Sequence, residues 1–450
     1  MAPLRLKTEK ITPAQIIILG FLLLIALGTL LLMLPFSTRD GGGASFPDAL
    51  FTATSATCVT GLVVQDTALY WSAFGQAVIL TLIQIGGMGV VTAAVAISMF
   101  SGKKIGLKSR WVMQESISAP QVGGIIRETR MILLGVLLFE AAGTVLLALR
   151  LCPQMGFGRG LWYALFHSVS AFCNAGFDLM GCFSGPFSSL TSFSGDPAIH
   201  VVICLLVVIG GLGFFTWRDI RTHRLRLRAY SLQSKLILLT SGVLLLLGFL
   251  FFFAFEFRRD VWTDLSGGER LMAAVFQSVS PRTAGFHTVD LAAMHPVSQL
   301  VTIGLMLVGG SPGSTAGGFK TTTLAVLLLG TRAIFLHRDS AQCFGRRIQE
   351  PALQNASALF MLYLLLFLSG GCLICGIDGI PLMAALFESG SAVGTVGLSL
   401  GYTSGLSHVS RLILIFLMYF GRVGGLTMIY AVTRSTPAVS QLPQERVTVG

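Results

Sequence analysis

A short segment that runs from a Phe to a Gly recurs four times along the chain. In every copy a Ser follows the Phe by four positions, and successive copies lie about 110 residues apart. The copies span residues 51–61, 166–176, 276–285 and 387–397. A matched pattern at a common period is the signature of internal repeats. The chain is therefore expected to fold as four similar units, each with one Gly-ended loop.

Composition places these units in a lipid bilayer. Charged residues make up 11% of the chain and hydrophobic residues 53%, whereas soluble domains carry about 25% charged residues. Several apolar runs approach the roughly 20 residues that cross a membrane as a helix. The first run, residues 13–34, lacks a small-residue cleavage site after it, so we interpret it as a retained helix. The pattern predicts an all-α polytopic membrane protein.

Each repeat contains an apolar helix, a short amphipathic stretch, the Gly-ended loop and a second apolar helix. The repeats are assigned to residues 1–110, 111–228, 229–345 and 346–450. The first helices are expected near 14–34, 128–150, 232–255 and 354–376, the short stretches near 46–57, 160–172, 267–280 and 380–391, and the second helices near 71–100, 197–217, 296–331 and 407–433. This layout predicts eight transmembrane helices around one central pore, with four re-entrant loops on the side opposite the termini.

Basic residues concentrate on the side of the termini. The chain has a formal net charge of +11, and the positive-inside rule makes the basic side cytoplasmic. We therefore expect a plasma-membrane protein, in a bacterium an inner-membrane protein, with both termini and the C-terminal tail in the cytoplasm. The arginines at 218–228 are interpreted as a juxtamembrane anchor or as a docking site for a cytoplasmic partner. They do not suggest nucleic-acid binding.

The short stretches are too short to span a bilayer and are interpreted as half-helices that enter and turn back. Irregular backbone at membrane depth is tolerated only where protein buries it or where it lines an aqueous path. Four such loops around one axis would present carbonyl oxygens that can replace the water around a K⁺-sized cation. Glycine suits the end of each loop because it adopts positive φ without a Cβ penalty. The predicted filter glycines are Gly61, Gly176, Gly285 and Gly397.

Paired glycines follow each filter, at 86–87, 210–211, 309–310 and 424–425, where they permit close backbone packing or a kink. In three repeats helix packing is the favoured interpretation. The third repeat differs, because residues 309–323 contain five Gly and one Pro in the middle of an apolar helix. Residues 296–308 reach only about 20 Å, so this break lies at membrane depth and is interpreted as a flexible gate below the filter. The gate residues are Gly309, Gly310, Ser311, Gly313, Ser314, Thr315, Gly317, Gly318 and Lys320.

Several charged residues accompany these features. Arg422 lies near mid-membrane, where a cation marks a functional site; it either repels cations or, in the favoured interpretation, holds the 309–320 loop through its carbonyls. Glu140, also at depth, is expected to pair with a basic residue of a neighbouring segment and is given no role. Glu388 is expected to brace its half-helix from behind. Asp66, Asp178 and Asp290 follow three of the filters, where they would concentrate cations or cap turns.

Six segments together resemble the Trk/Ktr/HKT superfamily of potassium transporters, and within it the membrane subunits of Ktr systems. They read TATSATCVTGL, FHSVSAFCNAGF, FQSVSPRTAGFHTVD, GGSPGSTAGGFKTTT, ESGSAVGTVGL and GRVGGLT. The resemblance covers nearly the whole chain, and Gly at all four filter positions goes with a preference for K⁺ in this superfamily. It implies that the backbone carbonyls of Thr60, Ala175, Ala284 and Val396 complete the filter.

The resemblance also implies that residues 309–320 form the intramembrane gating loop and that Arg422 contacts it. It further implies a homodimer on a cytoplasmic, KtrA-like ring of RCK-type regulatory subunits, on which ATP favours the open gate and ADP the closed one. Uptake of K⁺ is expected to be stimulated by Na⁺, with no covalent cofactor. One departure is that the third filter is one residue shorter between Ser280 and Gly285, which puts exact fourfold symmetry of the carbonyls in doubt.

The predicted function is therefore K⁺ uptake through a channel-like pore under the control of a nucleotide-binding subunit. An alternating-access cation carrier is the alternative, although carriers usually show two inverted repeats and not four similar ones. A membrane enzyme would need clustered His, Asp or Glu at membrane depth. The seven His are scattered along the chain, so no enzymatic activity is expected.

Overall fold

The computed structural model describes residues 12–100, 107–116, 123–432 and 445. The predicted basic residues of the N-terminus and most of the C-terminal tail lie outside the described residues. In the first half of the chain the helices are α1 (Pro13–Leu32), α2 (Phe46–Thr57), α3 (Ala73–Met88), α4 (Val90–Phe100), α5 (Leu107–Ser116), α6 (Ile125–Met155), α7 (Phe157–Phe172), α8 (Gly181–Ser184), α9 (Pro197–Gly211) and α10 (Phe214–His223).

The second half of the chain repeats this order of long, short and broken helices. Its helices are α11 (Leu232–Phe251), α12 (Gly267–Val279), α13 (Pro296–Leu307), α14 (Thr321–Phe335), α15 (Glu350–Asp378), α16 (Leu382–Gly394), α17 (His408–Val423) and α18 (Gly425–Val432). A two-residue antiparallel hairpin, β1 (Gln342–Cys343) and β2 (Arg346–Arg347), joins α14 to α15.

Two of the short helices begin at a side-chain cap. Ser45 accepts a hydrogen bond from the backbone N–H of Asp48 at the start of α2. Ser266 and Glu269 form a reciprocal capping box at the start of α12. Such caps satisfy backbone donors that a helix N-terminus leaves unpaired. They fix the points at which α2 and α12 begin.

Among the described residues, four helices are long and apolar enough to cross a membrane: α1, α6, α15 and α11 with the π-helical turn that continues it to Glu256. The α9–α10 pair would be a fifth span, bent by 97°. Apolar side chains cover the outer faces, as shown by Leu138 and Leu149, which are 67% and 71% exposed. Such surfaces belong in lipid. The expected count of eight transmembrane helices stays a prediction.

The helix that follows each Gly-ended loop is broken, although a kink at the paired glycines is the less favoured interpretation of the sequence outside the third repeat. The continuous helices predicted near 71–100, 197–217 and 407–433 are wrong. Their breaks lie at Gly89, Gly213 and Gly424, which share φ values of 87°, 87° and 91°. In the third repeat α13 ends at Leu307 and α14 begins at Thr321. Glycine is required at the three short breaks because a side chain is strained at such positive φ.

A second glycine, three residues before each short break, allows the helix to touch the half-helix of its own repeat. These are Gly86, Gly210 and Gly421. A Cβ at these positions would lie 2.0, 2.0 and 2.3 Å from the carbonyl oxygens of Thr57, Phe172 and Val393. The predicted packing role is therefore confirmed for the glycine pairs at 86–87 and 210–211. In the fourth pair Gly424 makes the break and Gly425 packs against α15, where its Cβ would lie 2.8 Å from Leu359 Cδ2, while Gly421 makes the contact with the half-helix.

Candidate functional site

The four Gly-ended loops share one backbone conformation. The residue two positions before each filter glycine has positive φ although it is not glycine: 57° at Val59, 59° at Asn174, 72° at Thr283 and 51° at Thr395. The filter glycines follow with φ of 90°, 68°, 80° and 93° in chain order. Non-glycine residues rarely adopt positive φ, and such strain persists only where the surroundings enforce it. The same strained conformation in all four loops therefore indicates that the fold enforces it.

The four loops close into a ring. A Cβ at each filter glycine would collide with the carbonyl oxygen that precedes the filter glycine of another repeat. The distances are 2.4 Å from Gly61 to Ala175, 2.8 Å from Gly176 to Ala284, 2.4 Å from Gly285 to Val396 and 2.1 Å from Gly397 to Thr60. The cycle passes through all four repeats and returns to the first. The carbonyls of the four residues expected from the resemblance therefore lie against the ring of glycines.

The repeated Ser fixes each loop to its half-helix. Ser55 and Ser391 accept hydrogen bonds from the backbone N–H groups of Gly61 and Gly397. Ser170 donates to the carbonyl of Phe177 at 2.7 Å, one residue beyond the filter glycine of the second repeat. Ser280 donates to the equivalent carbonyl in the third repeat. The recurring Ser is explained by these bonds, which hold the backbone of the ring in place.

The shortened third filter keeps the common conformation. In the first, second and fourth repeats the residue before the filter glycine donates its N–H to a carbonyl five residues earlier, as Ala175 does to Ser170. In the third repeat Ala284 donates to Ser280, four residues earlier, at 2.9 Å. At the end of α12 a hydrogen bond that spans four residues replaces one that spans five, and this compensates for the missing residue. The positive φ values of Thr283 and Gly285 match those of the other copies.

A cavity of about 190 Å³ lies on the outer side of the ring, lined by all four filter glycines and by Asp66, Asp178 and Asp290. Each aspartate also caps a turn, because the three accept backbone hydrogen bonds from Ala68, Met180 and Ala292 respectively. Both interpretations of these acids therefore agree with their positions. Burial, followed by the nearby Asp66, raises the pKa of Asp178 to about 7.

Glu388 bonds the segment that follows the filter and not the half-helix itself. Its carboxylate accepts from the hydroxyls of Ser399 and Thr403 and from the N–H of Leu400. In the second repeat the ring of His167 accepts from the N–H of Leu179 at 3.3 Å, at the same separation of twelve residues. The position is completely buried in both repeats. It supports the outer end of the filter from behind, as a structural part of the loop.

The segment 308–320 is held by hydrogen bonds to two other repeats. Ser311 and Thr315 donate their N–H groups to the carbonyls of Gly211 and Gly210, where α9 ends. The N–H of Gly318 donates to the carbonyl of Gly421 in α17, at 3.1 Å. Phe214, at the start of α10, donates to the carbonyl of Gly313 at 2.7 Å. The segment is therefore an ordered plug between repeats two and four.

The plug lies directly against the inner ends of two filter loops. A Cβ at Gly317 would meet Thr395 Oγ1 at 2.1 Å, and one at Gly309 would meet Thr283 Cγ2 at 3.2 Å. Thr283 and Thr395 are the positive-φ residues of the third and fourth filters. The small residues of this stretch are thus needed for close approach to the ring.

Two cations stabilise the plug through backbone carbonyls. Lys320 Nζ donates to the carbonyls of Ala316 and Gly317 at 2.7 and 3.0 Å, within the plug itself. Arg422 donates to the carbonyl of Thr315 and also to those of Gly86 and Gly87. Neither cation takes part in any ion pair found among the described residues. The carbonyl contacts therefore take the place of a carboxylate partner.

A second cavity of about 230 Å³ lies on the other side of the plug, lined by Lys320, Arg422 and the glycines of two helix breaks, Gly89 and Gly424. The ring and the plug thus stand between an outer and an inner cavity. Sequence reasoning missed the breaks that line this inner cavity. The pattern that could have found them is Gly-x-x-Gly, which occurs at 86–89, 210–213 and 421–424.

Among the described residues Glu140 pairs with no basic side chain, contrary to the expectation. Gln84 donates to one of its carboxyl oxygens at 3.1 Å, and the sulfur of Cys173 lies 3.7 Å from the other. Both partners lie close to the ring and to the contacts of Arg422. No sequence signal predicted this arrangement, because the three residues are distant in the chain.

The chain is similar over its whole length to known membrane transport proteins. The model of the TrkH family, described as cation transport proteins, matches residues 6–442. The potassium/sodium uptake protein NtpJ of Enterococcus hirae is 38% identical, with 98% of each chain covered. The Ktr system potassium uptake protein B of Bacillus subtilis is also 38% identical, over 99% of this chain and 98% of that protein. The crystal structure of the potassium transporter TrkH from Vibrio parahaemolyticus shares the fold, with a TM-score of 0.73 at 21% identity over 96% of this chain and 87% of that one.

The fold and the ring define a helical membrane transport protein. The chain belongs to the TrkH family of cation transport proteins. The resemblance drawn from the six sequence segments is thereby confirmed.

Proposed function

We propose that the protein takes up K⁺ through a channel-like pore whose selectivity filter is the ring of four loops. The observation that carries the proposal is the closed cycle in which each filter glycine abuts a carbonyl of another repeat. Rings of backbone carbonyls select K⁺ by replacing its hydration shell. The ion-binding residues are Thr60, Gly61, Ala175, Gly176, Ala284, Gly285, Val396 and Gly397. Potassium is named in the descriptions of both relatives that are 38% identical to this chain.

The segment 309–320 acts in this proposal as the gate, and the structure corresponds to its closed state. The support is its position against Thr283 and Thr395, between the two cavities. Opening requires the segment to leave the hydrogen bonds that Ser311, Thr315 and Gly318 make with repeats two and four. Glycines and small residues make such a rearrangement sterically feasible. Arg422 holds the gate shut by tethering the carbonyl of Thr315.

The signal for opening comes, in this proposal, from a cytoplasmic RCK-type ring that binds ATP or ADP, on which two copies of the chain sit. The Ktr system named for the Bacillus subtilis relative supports a multi-subunit arrangement. Arginines at the end of α10 and beyond, such as Arg221 and Arg224, offer a basic surface for that ring on the side we assign to the cytoplasm. The assignments of the four repeats, of inward-facing termini and of stimulation by Na⁺ belong to the same proposal.

The test is K⁺ uptake by cells that lack their own uptake systems, measured with and without a candidate regulatory subunit. Gly61→Ser should abolish the preference for K⁺ over Na⁺, because its Cβ would lie 2.4 Å from the carbonyl oxygen of Ala175. The matched control is Gly405→Ser, because a Cβ there meets no atom within 4 Å. Equal selectivity in both variants would refute the filter assignment. Absence of K⁺ uptake by the wild-type protein with its partner present would refute the function.

A further inference from the structure

Glu140 is a buried carboxyl group in the middle of α6, and the proposed function does not use it. The residue is 5% exposed. A charged carboxylate at this depth is costly unless a cation compensates it. None of the ion pairs in the described part of the chain includes Glu140. The arrangement therefore favours the uncharged acid, held by neutral partners.

The carboxyl group joins two repeats. Gln84, which donates to it at 3.1 Å, belongs to α3 of the first repeat. Cys173, which contacts the other oxygen at 3.7 Å, caps the C-terminus of α7 in the second repeat. One side chain thus bridges the outgoing helix of one repeat and the half-helix of the next.

On one side the contact leads to the filter. Cys173 is followed by Asn174, which has positive φ, and by Ala175, whose carbonyl oxygen lies against Gly61 in the ring. A Cβ at Gly87 would lie 2.6 Å from Cys173 Sγ, so the thiol is confined between Gly87 and Glu140. A shift of this thiol would turn the peptide units that carry the second filter carbonyl.

On the other side the contact leads to the gate. Gln84 lies in the last turn of α3, and the carbonyls of Gly86 and Gly87 in the same turn accept hydrogen bonds from Arg422 at 2.5 and 2.9 Å. Arg422 in turn donates to the carbonyl of Thr315 in the plug. The position of Gln84 therefore influences the two carbonyl groups, of Gly86 and Gly87, that accept hydrogen bonds from Arg422.

We propose that Glu140 is a positioning residue. Its uncharged carboxyl group holds the second filter loop and the end of α3, which binds Arg422, in fixed positions relative to each other. The inference rests on the proposed function, because its two readouts are ion selectivity and gating. In the uncharged acid one oxygen carries the proton, so the carboxyl O–H donates to the sulfur of Cys173 and the other oxygen accepts from Gln84. Glutamine at this position reproduces that pattern, with its oxygen towards Gln84 and its N–H group towards the sulfur. Alanine removes both contacts.

The experiment compares Glu140→Ala and Glu140→Gln in the full chain with its regulatory partner, per quantity of folded protein. Glu140→Ala should reduce the preference for K⁺ over Na⁺ by about tenfold and should raise partner-independent flux several-fold, since a change of about 1.4 kcal/mol is a factor of ten. Glu140→Gln should restore both properties to within about twofold of the wild type. A required negative charge would instead make the two variants equally defective, which would overturn the proposal.

Separate variants test the contact that leads to the filter and the contact that leads to the gate. Cys173→Ala should lower selectivity and leave gating intact, and Cys173→Ser should restore selectivity. Gln84→Ala should raise partner-independent flux and leave selectivity intact. The control is Ser168→Ala, because Ser168 Oγ donates to the main-chain carbonyl of Glu140 at 2.7 Å and does not touch the carboxyl group. If these contacts only stabilise the fold, all four variants, Cys173→Ala, Cys173→Ser, Gln84→Ala and Ser168→Ala, should reduce the quantity of folded protein equally and leave selectivity and gating normal. That result would refute the inference.

A readout without transport separates this inference from the proposed function. Double-mutant cycles in thermal unfolding should show coupling between positions 140 and 173 and between 140 and 84, whichever ion the protein carries. Additive effects in both cycles would overturn the bridging role of Glu140. Coupled positions in a protein that does not transport K⁺ would refute the proposed function alone.

Discussion

Removal of Arg422 should release the plug. Its guanidinium makes one hydrogen bond to the plug, at the carbonyl of Thr315, and two to the end of α3, at Gly86 and Gly87. Hydrogen bonds to charged groups contribute about 1.5–3 kcal/mol each. The two bonds to α3 only orient the side chain, so the single bond to Thr315 sets the scale. The carbonyls left behind border the inner cavity of about 230 Å³, where water can hydrate them.

Arg422→Ala should therefore destabilise the closed plug by about 1.5–3 kcal/mol, which corresponds to about a 10- to 150-fold shift towards the open state. The assay is the initial rate of K⁺ uptake by the full chain in liposomes, without the regulatory partner and corrected for the quantity of folded protein. The partner-independent rate should rise towards the rate of the partner-activated wild type. Selectivity should stay unchanged, because the ring does not depend on this side chain.

One conservative variant and one deletion distinguish a tether from electrostatic repulsion. Arg422→Lys keeps the charge but cannot bond Thr315, Gly86 and Gly87 at once, so a tether predicts raised partner-independent flux and repulsion predicts wild-type flux. Deletion of residues 311–318 removes the plug. In that background the loss of Arg422 should cause no further rise in partner-independent flux, because the plug that it tethers is absent. Wild-type flux in both Arg422→Ala and Arg422→Lys, or additive effects with the deletion, would refute the tether.

Three other outcomes follow from the geometry of single residues. Gly421→Ala should impair uptake severely, because its Cβ would lie 2.3 Å from a carbonyl oxygen of α16. Gly424→Ala meets no atom closer than 4.0 Å and should cost only the strain of its backbone conformation, φ 91° and ψ 136°, about 1–3 kcal/mol; equal uptake and thermal stability would contradict this distinction. Gly397→Ala should abolish K⁺ selectivity in flux assays, since its Cβ would lie 2.1 Å from the carbonyl oxygen of Thr60, and normal selectivity would contradict the closed ring. Because burial raises the pKa of Asp178 to about 7, its carboxylate is protonated as the pH falls, so K⁺ affinity should decrease from about pH 8 to 6. Asp178→Asn should make affinity low and independent of pH in this range, and an unchanged pH profile in that variant would count against Asp178.

The half-helices were predictable from local signals. The structure has α2 at Phe46–Thr57 and α12 at Gly267–Val279, against expectations of 46–57 and 267–280. Pro47 and Gly267 mark these starts in the sequence, and a length below that of a span favoured a re-entrant interpretation. The filter glycines were found by their repetition, which does not require knowledge of contacts.

The helix breaks were not predicted because apolar composition continues through them. Residues 71–100 form one apolar run, and a single glycine such as Gly89 does not interrupt a pattern that is judged by hydropathy. The break appears only when Gly86 is fixed against Thr57 and the chain must change direction three residues later. Likewise, the sequence shows that the third filter lacks one residue but not how its backbone adjusts. That adjustment depends on how α12 ends.

The ring and the plug use separate sets of hydrogen bonds. The bonds that fix the filter backbone run from Ser55 and Ser391 to Gly61 and Gly397 within single repeats, and the plug takes part in none of them. The plug is bound to carbonyls at the ends of α7, α9 and α17, and none of these bonds is among those that fix the ring. The proposed pore could therefore open at its gate and keep its selectivity. The contacts of Glu140 with Gln84 and Cys173 are the place where this separation is tested most directly, since one carboxyl group there reaches the supports of both parts.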